Sequence, residues 1–272
     1  MKKKETPEKK KKEPIYQNKT TLTVYLVLRA LVIFVLVRAA LRRDFESVFM
    51  CGLTLVLMIL PSFFSHKLNV ELPTTLEVII LLFIFAAEIL GGLGCYFITY
   101  PYWDSMLHTT TGFLCAATGF ALIDILNRNS RIKFQLSPVY VALAAFCFSM
   151  TVGVMWEFFE FGMDRLFHMD MQKDTVVHAI HSVTLDPTRT NQVVTISGIT
   201  DTAVNGESLG LGGYLDIGII DTMKDLFVNF LGALVFSVSG YFYARSRGKK
   251  KSPALNFVPT RKTPCLLYTS DA

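Results

Sequence analysis

The chain has 272 residues, of which 51% are hydrophobic and 18% charged, and 27 lysines and arginines against 22 acids leave a formal net charge of +5. A composition with so many apolar residues beside so few charged ones is unusual for a water-soluble domain of this length. It also argues against a nucleic-acid-binding protein, because much of the positive charge sits in two terminal runs and not on a folded basic surface.

The first run, M-K-K-K-E-T-P-E-K-K-K-K-E-P, lies within residues 1–20, which read as a disordered cytoplasmic tail near anionic lipid headgroups. Six apolar blocks follow at about 22–42, 47–65, 75–98, 105–126, 138–160 and 223–244. Each approaches the roughly 20 residues that a helix needs to cross a bilayer. No small-x-small cleavage site follows the first block and Arg38 interrupts it, so it is kept as a span and not a signal peptide. The second is the shortest and contains Pro61. The third carries a lone carboxylate, Glu88, with Arg38 and Arg29 of the first block as candidate partners. Gly91, Gly92 and Gly94 after it permit close helix packing. The expected fold is therefore an all-α membrane protein, a six-helix transmembrane bundle forming one domain over 21–245.

Cys51, Cys95, Cys115 and Cys147 lie in or beside these blocks without C-x-x-C spacing, and read as small core residues. The 161–222 connection contains H-A-I-H, whose His178 and His181 would share a face on a helix but lack a third ligand nearby. Alternating β-branched residues around D-P and N-G turn signals then indicate a small β-hairpin-like insertion. The second basic run, R-S-R-G-K-K-K, leads into the tail 246–272, whose last octet, C-L-L-Y-T-S-D-A from Cys265, reads as the translation of a sequencing adaptor.

Positive loops face the cytoplasm. Both basic tails therefore lie inside, which requires an even number of spans, and the 127–137 connection with Arg128, Arg131 and Lys133 joins them. The 161–222 connection, poor in lysine and arginine, falls outside; Arg42 and Arg43 are the exception to the rule.

With that orientation, three spans carry polar stripes at the outer face. Asp104 and His108 are one turn apart; Glu157, Glu160 and Asp164 share a helix face; Asp221, Asp225 and Asn229 recur every four residues. Acids at the outer end of the fifth span oppose its helix dipole. They also repel one another, by roughly 3 kcal/mol per pair at ~6 Å and an effective dielectric near 20. A metal ion, a basic side chain such as Arg38 or Arg165, or protons held on the carboxylates must offset this. Carboxylate oxygens suit Mg²⁺, Mn²⁺ or Ca²⁺, and the His108 imidazole also admits Zn²⁺. Asp104, Glu157, Glu160 and Asp221 are the expected inner ligands, and His108 a ligand or proton shuttle. Asp164, Asp225 and Asn229 are expected as secondary ligands or orienting groups, with His108, Glu157 and Asp221 as the catalytic set. No G-x-S-x-G, H-E-x-x-H or Walker motif is present, so covalent nucleophile chemistry has little support.

The motifs Asp104-x-x-x-His108, Trp156-Glu157-x-x-Glu160-x-x-x-Asp164, Gln172 and Asp221-Thr-Met-x-Asp225-x-x-x-Asn229-x-x-Gly232 resemble those of the YjdF-like bacterial membrane proteins, over roughly 20–248. Residues 175–215 look like an insertion relative to shorter members. A fainter likeness is to VanZ-like proteins. The resemblance implies an integral protein of the bacterial cytoplasmic membrane, in a family whose activity is unknown. The expected function is an outward-facing, metal-assisted site acting on a lipid or cell-envelope substrate, with membrane lipids as partners. An ion or solute transporter and a non-catalytic envelope-binding protein are the alternatives.

Overall fold

A computed structural model of the protein describes residues 18–68, 70–127, 136–246 and 260–261. Most of both expected tails and the basic residues Arg128, Arg131 and Lys133 lie outside the described residues. Helix α1 spans Lys19–Leu41 and is opened by Asn18, whose side chain accepts the Thr20 N–H at 2.9 Å. The chain turns through Arg43, at φ 58°, and Asp44 caps α2, Phe45–Leu57, by accepting the Ser47 N–H. Helix α2 then stops, and α3 restarts at Leu60–Leu68. The break has a local cause: Pro61 has no N–H to give the Leu57 carbonyl. The second apolar block is thus two helices and not one.

Helix α4, Thr74–Leu93, is α-helical to Phe85 and π-helical over Ala86–Leu93. It closes with the Gly94 N–H on the Ile89 carbonyl at 2.8 Å, followed by the left-handed Cys95 and the one-turn α5, Tyr96–Thr99. Three long helices follow: α6, Trp103–Asn127; α7, Pro138–Phe167; and α8, Ile219–Arg245. Among the described residues, α1, α4, α6, α7 and α8 are long and apolar enough to cross a membrane, and Ser47–Phe63 forms a shorter apolar stretch. The chain is mostly helical, with five such helices where six single spans were expected. Their outward faces carry Phe34, Val37, Phe49, Val139, Phe158 and Val235, exposed as residues in contact with acyl chains are.

Two cores result. Ala116, Ala117, Phe120, Ala145, Ala233 and Phe236 join α6, α7 and α8. Tyr25, Leu28, Val32, Cys51, Met58 and Leu81 join α1, α2 and α4. Of the cysteines read as core, Cys51 is buried and Cys115 partly so, but Cys95 and Cys147 are exposed, and all four are free. Backbone contact holds α6 against α8. A Cβ on Gly112 would collide with the Asn229 carbonyl, and one on Gly232 with the Thr109 carbonyl. Small residues allow this approach in lipid, where burial of apolar surface supplies no drive between helices.

The short strands are peripheral. Val70–Glu71 (β1) pairs with Thr260–Arg261, the last strand of the chain. Between α7 and α8, β2 (Val176–Val177) pairs with β7 (Tyr214–Leu215) at the base of an appendage. Above it, β3 (Ala179–Ser182) pairs with β4 (Val194–Ser197), and β5 (Ala203–Val204) with β6 (Glu207–Ser208). The hairpin signals therefore yield two hairpins. Asn205 and Gly206, at φ 54° and 88°, close the second as a two-residue turn with both residues left-handed. His178 and His181 sit in extended chain, not on a helix face, with their Nδ1 atoms 3.1 Å from the Ile199 carbonyl and 2.9 Å from Thr195 Oγ1.

The D-P turn of the first hairpin is organised by Asp186, which accepts from the Thr188 hydroxyl and from the N–H groups of Thr188, Thr190 and Gln192. The Thr188 hydroxyl, aided by these N–H groups against the cost of desolvation, holds the carboxyl down at about 2 against a usual 3.8. A depressed folded value means the stabilisation is full above 3.8 and is lost as pH falls through about 2. Amide exchange at Thr190 and Gln192, corrected for intrinsic rates, should therefore stay protected from neutral pH down to about 4 and lose protection below it. Asp186→Ala should show the unprotected pattern already at neutral pH.

Candidate functional site

A cavity of about 620 Å³ lies between the two cores. Its apolar wall includes Met50 of α2, Phe83 and Ala87 of α4, Phe97 after the π-helical segment, and Leu107 of α6. Its polar wall comes from α6, α7 and α8, the same three helices that the polar stripes singled out. Asp104, His108, Glu160, Asp221, Lys224 and Asn229 line it. Glu157 and Asp225 lie behind that lining, 4% and 1% exposed.

The helical periods explain the meeting. On α6, the four-residue step puts Asp104 directly above His108, with Asp104 Oδ1 3.5 Å from His108 Nε2. On α7, Glu157 and Glu160 share the buried face with Gly153, whose missing side chain makes room for the Asn229 amide. On α8, Asp221, Asp225 and Asn229 are all buried on the face turned to α6 and α7. The contacts of Gly112 and Gly232 with α8 and α6 lie within about a turn of His108 and Asn229, so the closest backbone approach is at the site itself.

His108 is the centre of the group. Its Nε2 faces Asp225 Oδ2 at 3.9 Å as well as Asp104, and its Nδ1 faces Glu157 Oε1 at 3.9 Å. These separations exceed a hydrogen bond. Two sets, Asp104–His108–Asp225 and His108–Glu157–Glu160, each offer ligand atoms within 4.8 Å of one another. A divalent ion with ligand distances of about 2.0–2.6 Å spans such a gap. Both carboxylate oxygens of Glu157, Oδ1 of Asp225 and Oδ1 of Asn229 are buried without a hydrogen-bond partner. Unmet acceptors of this kind, all oxygens, suit a cation and not an anion. Glu160 is better served: Trp156 Nε1 donates to its Oε1 at 2.8 Å. The Thr222 hydroxyl accepts from Gln172 Nε2.

Two expected ligands stand apart. Asp221 lies at the rim with both oxygens engaged, Oδ2 by the Lys173 N–H at 2.9 Å and Oδ1 by Lys224 Nζ at 3.1 Å. Asp164 is not brought to the group. Its oxygens accept the N–H groups of Met171 and Gln172, at 2.6 and 2.9 Å, and so fasten the chain as it leaves the left-handed His168 that ends α7.

The basic partners also differ from those expected. Arg165 is exposed and stacks over the Phe161 ring, and Arg38 is exposed near the end of α1. Arg29 donates to the Tyr25 hydroxyl and does not reach Glu88. The basic side chain at the cluster is Lys224, 3.9 Å from Asp225 Oδ1 as well as bonded to Asp221. Its signal was in the sequence: Lys224 follows Asp221 by three residues, a spacing that places a cation on the same helix face.

Comparison with curated proteins finds no match, and none is found among solved structures. The fainter likeness to VanZ-like proteins is not shown by these comparisons. A family model described as "Predicted membrane protein (DUF2238)", the YjdF-like family, matches residues 23–246, which takes in every helix of the site and all of the polar residues above. The chain belongs to that family.

Proposed function

We propose that the protein is a multi-pass protein of the bacterial cytoplasmic membrane whose outward-facing cavity binds a divalent cation and acts on a lipid or cell-envelope substrate. The observation that carries this reading is the buried, unpartnered set of oxygens around His108. Asp104, His108, Glu157, Glu160 and Asp225 would hold the ion, Mg²⁺ or Mn²⁺ by their oxygen content, with Zn²⁺ admitted by the imidazole. Such an ion supplies Lewis acidity toward a phosphoryl or carbonyl oxygen. His108 is the group placed to carry a proton to or from a bound substrate, being the one imidazole among the described residues that line the cavity. Asp221, tied to Lys224 and the Lys173 backbone, shapes the entrance between the site and the appendage.

Contacts at the helix ends support this membrane arrangement. Asn18 Nδ2 donates to Thr74 Oγ1 at 2.7 Å, so α1 and α4 begin on the same face. In this reading the chain crosses back between Leu41 and Thr74, with the broken pair α2–α3 as a sixth crossing. The remaining helices alternate, which puts the appendage on the face opposite Asn18 and Ser246. The basic runs beside both of those residues support reading the face that holds Asn18 and Ser246 as cytoplasmic, with the cavity opening outward.

A transport reading draws on the helix break at Met58–Ile59, since transporters bind substrate beside broken helices near mid-membrane. The polar cluster, however, sits at the outer ends of unbroken helices. The test is thermal stability of purified protein with Mg²⁺, Mn²⁺ or Zn²⁺ against chelator. The wild type should melt higher with at least one ion, and His108→Ala should lose most of that gain. Unaltered melting with every ion would overturn the cation site. Turnover of envelope lipids by the loaded protein then tests the enzymatic claim.

A further inference from the structure

The apolar wall of the cavity carries one feature that the cation site does not use. Glu88 lines it from α4, within the π-helical segment Ala86–Leu93. π-Helical turns inside longer helices occur frequently at functional sites. A carboxylate in a spanning helix ordinarily pairs with a base or lines a polar cavity. Among the described residues, Glu88 has neither an ion pair nor a side-chain hydrogen bond, and Arg29, one of its two expected partners, is engaged by Tyr25.

Charge across the cavity points one way. Glu88, Asp104, Glu160, Asp170 and Asp221 line it against Lys173 and Lys224, and each lysine is already paired, with Asp170 and Asp221 at 3.1 Å. One bound divalent ion leaves the lining acidic. An anionic amphiphile would meet that excess as repulsion; an ammonium would relieve it. Next to Glu88, Phe83, Ala87 and Met50 offer a surface for an acyl chain, and about 620 Å³ is enough for a headgroup with part of a chain. On the polar wall, the Asn229 Oδ1, on a residue 1% exposed, is a further unmet acceptor.

We propose that the cavity takes an amphiphile whose headgroup carries a primary ammonium, with the ammonium on Glu88 and the chain along the α2–α4 wall. This names a substrate class for the site proposed above, and its ammonium contact does not depend on the cation.

The experiment titrates purified protein with dihexanoylphosphatidylethanolamine and, separately, with dihexanoylphosphatidylglycerol, followed by tryptophan emission, since Trp156 lines the cavity. Each titration is run with Mn²⁺ and with chelator. The wild type should prefer the amine lipid by at least about tenfold, the worth of one charge-assisted contact. Glu88→Gln should abolish that preference by weakening the amine lipid, with the anionic glycerol lipid bound no more weakly than before, and Glu88→Asp should restore part of it. Should Glu88→Gln not fold, Ala87→Leu, which narrows the apolar wall and keeps the carboxylate, should weaken both lipids. Equal binding of the two lipids to the wild type, or a preference that survives Glu88→Gln, would overturn the proposal. A preference that depends on Glu88 and is the same with Mn²⁺ and with chelator upholds it, and leaves the cation site to the melting test above.

Discussion

Gly232→Val is expected to abolish a stable fold in detergent, with the variant eluting as aggregate or melting far below the wild type. A Cβ at Gly232 meets the Thr109 carbonyl and the Phe113 nitrogen, which are backbone atoms of α6 and cannot swing aside as a side chain can. The helix must move as a body, and with it the contacts of Phe113, Phe120 and Phe236, whose rings pack edge to face across α6 and α8. Overpacking a well-filled core typically costs about 1–3 kcal/mol, and more where no rotamer relieves it. Gly232→Ala should already lower the melting temperature. Gly162→Ala and Gly52→Ala, where nothing lies within 4 Å of the added carbon, should leave it near the wild-type value. A Gly232→Val protein that melts like the wild type would show that α6 and α8 do not touch as described.

The second large effect is a change of sign. Without divalent ions, Glu157→Gln should melt higher than the wild type; with a saturating ion, it should melt lower. Glu157 is 4% exposed and both of its oxygens lack a hydrogen-bond partner, while Glu160, Asp104 and Asp225 surround the same imidazole. An amide of the same shape removes one repelling charge and brings two donors to those acceptors. Its single oxygen is a poorer ligand than a carboxylate. The wild type should gain about 2.7 kcal/mol at an ion concentration of 100 times its dissociation constant, and the variant little of this. Differential scanning fluorimetry in chelator and in Mn²⁺ reads both halves. Melting curves in the same order under the two conditions would contradict the assignment of Glu157.

Much of this site was legible before any coordinates, because helical spacing is a strict rule. Asp104 with His108, Glu157 with Glu160, and Asp225 with Asn229 each had to share a face, and the orientation expected for three spans put them at one level. What spacing cannot supply is rotation about the helix axis and the path of the loops. Asp164 lies four residues after Glu160 and so on the same stripe, yet it stands at the last turn of α7, where the reversing chain presents free N–H groups. Backbone donors took it. Lys224 takes the place expected of Arg38 or Arg165, and a base three residues from an acid needs no tertiary contact to reach it. Pro61 marked the second block as doubtful, and the missing N–H did divide it. The π-helical turn at Glu88 left no periodicity to read, because eight residues are too few to establish one.

The central claim is that a divalent ion is held with the His108 ring as a ligand. Pulsed electron paramagnetic resonance of Mn²⁺-loaded protein tests it most directly, since a coordinated imidazole couples nitrogen to the metal. The expected spectrum shows one saturable Mn²⁺ per chain with nitrogen modulation, and His108→Gln retains weakened Mn²⁺ binding without that modulation. Saturable Mn²⁺ with no nitrogen coupling, or no saturable Mn²⁺ at all, would contradict the site described around His108.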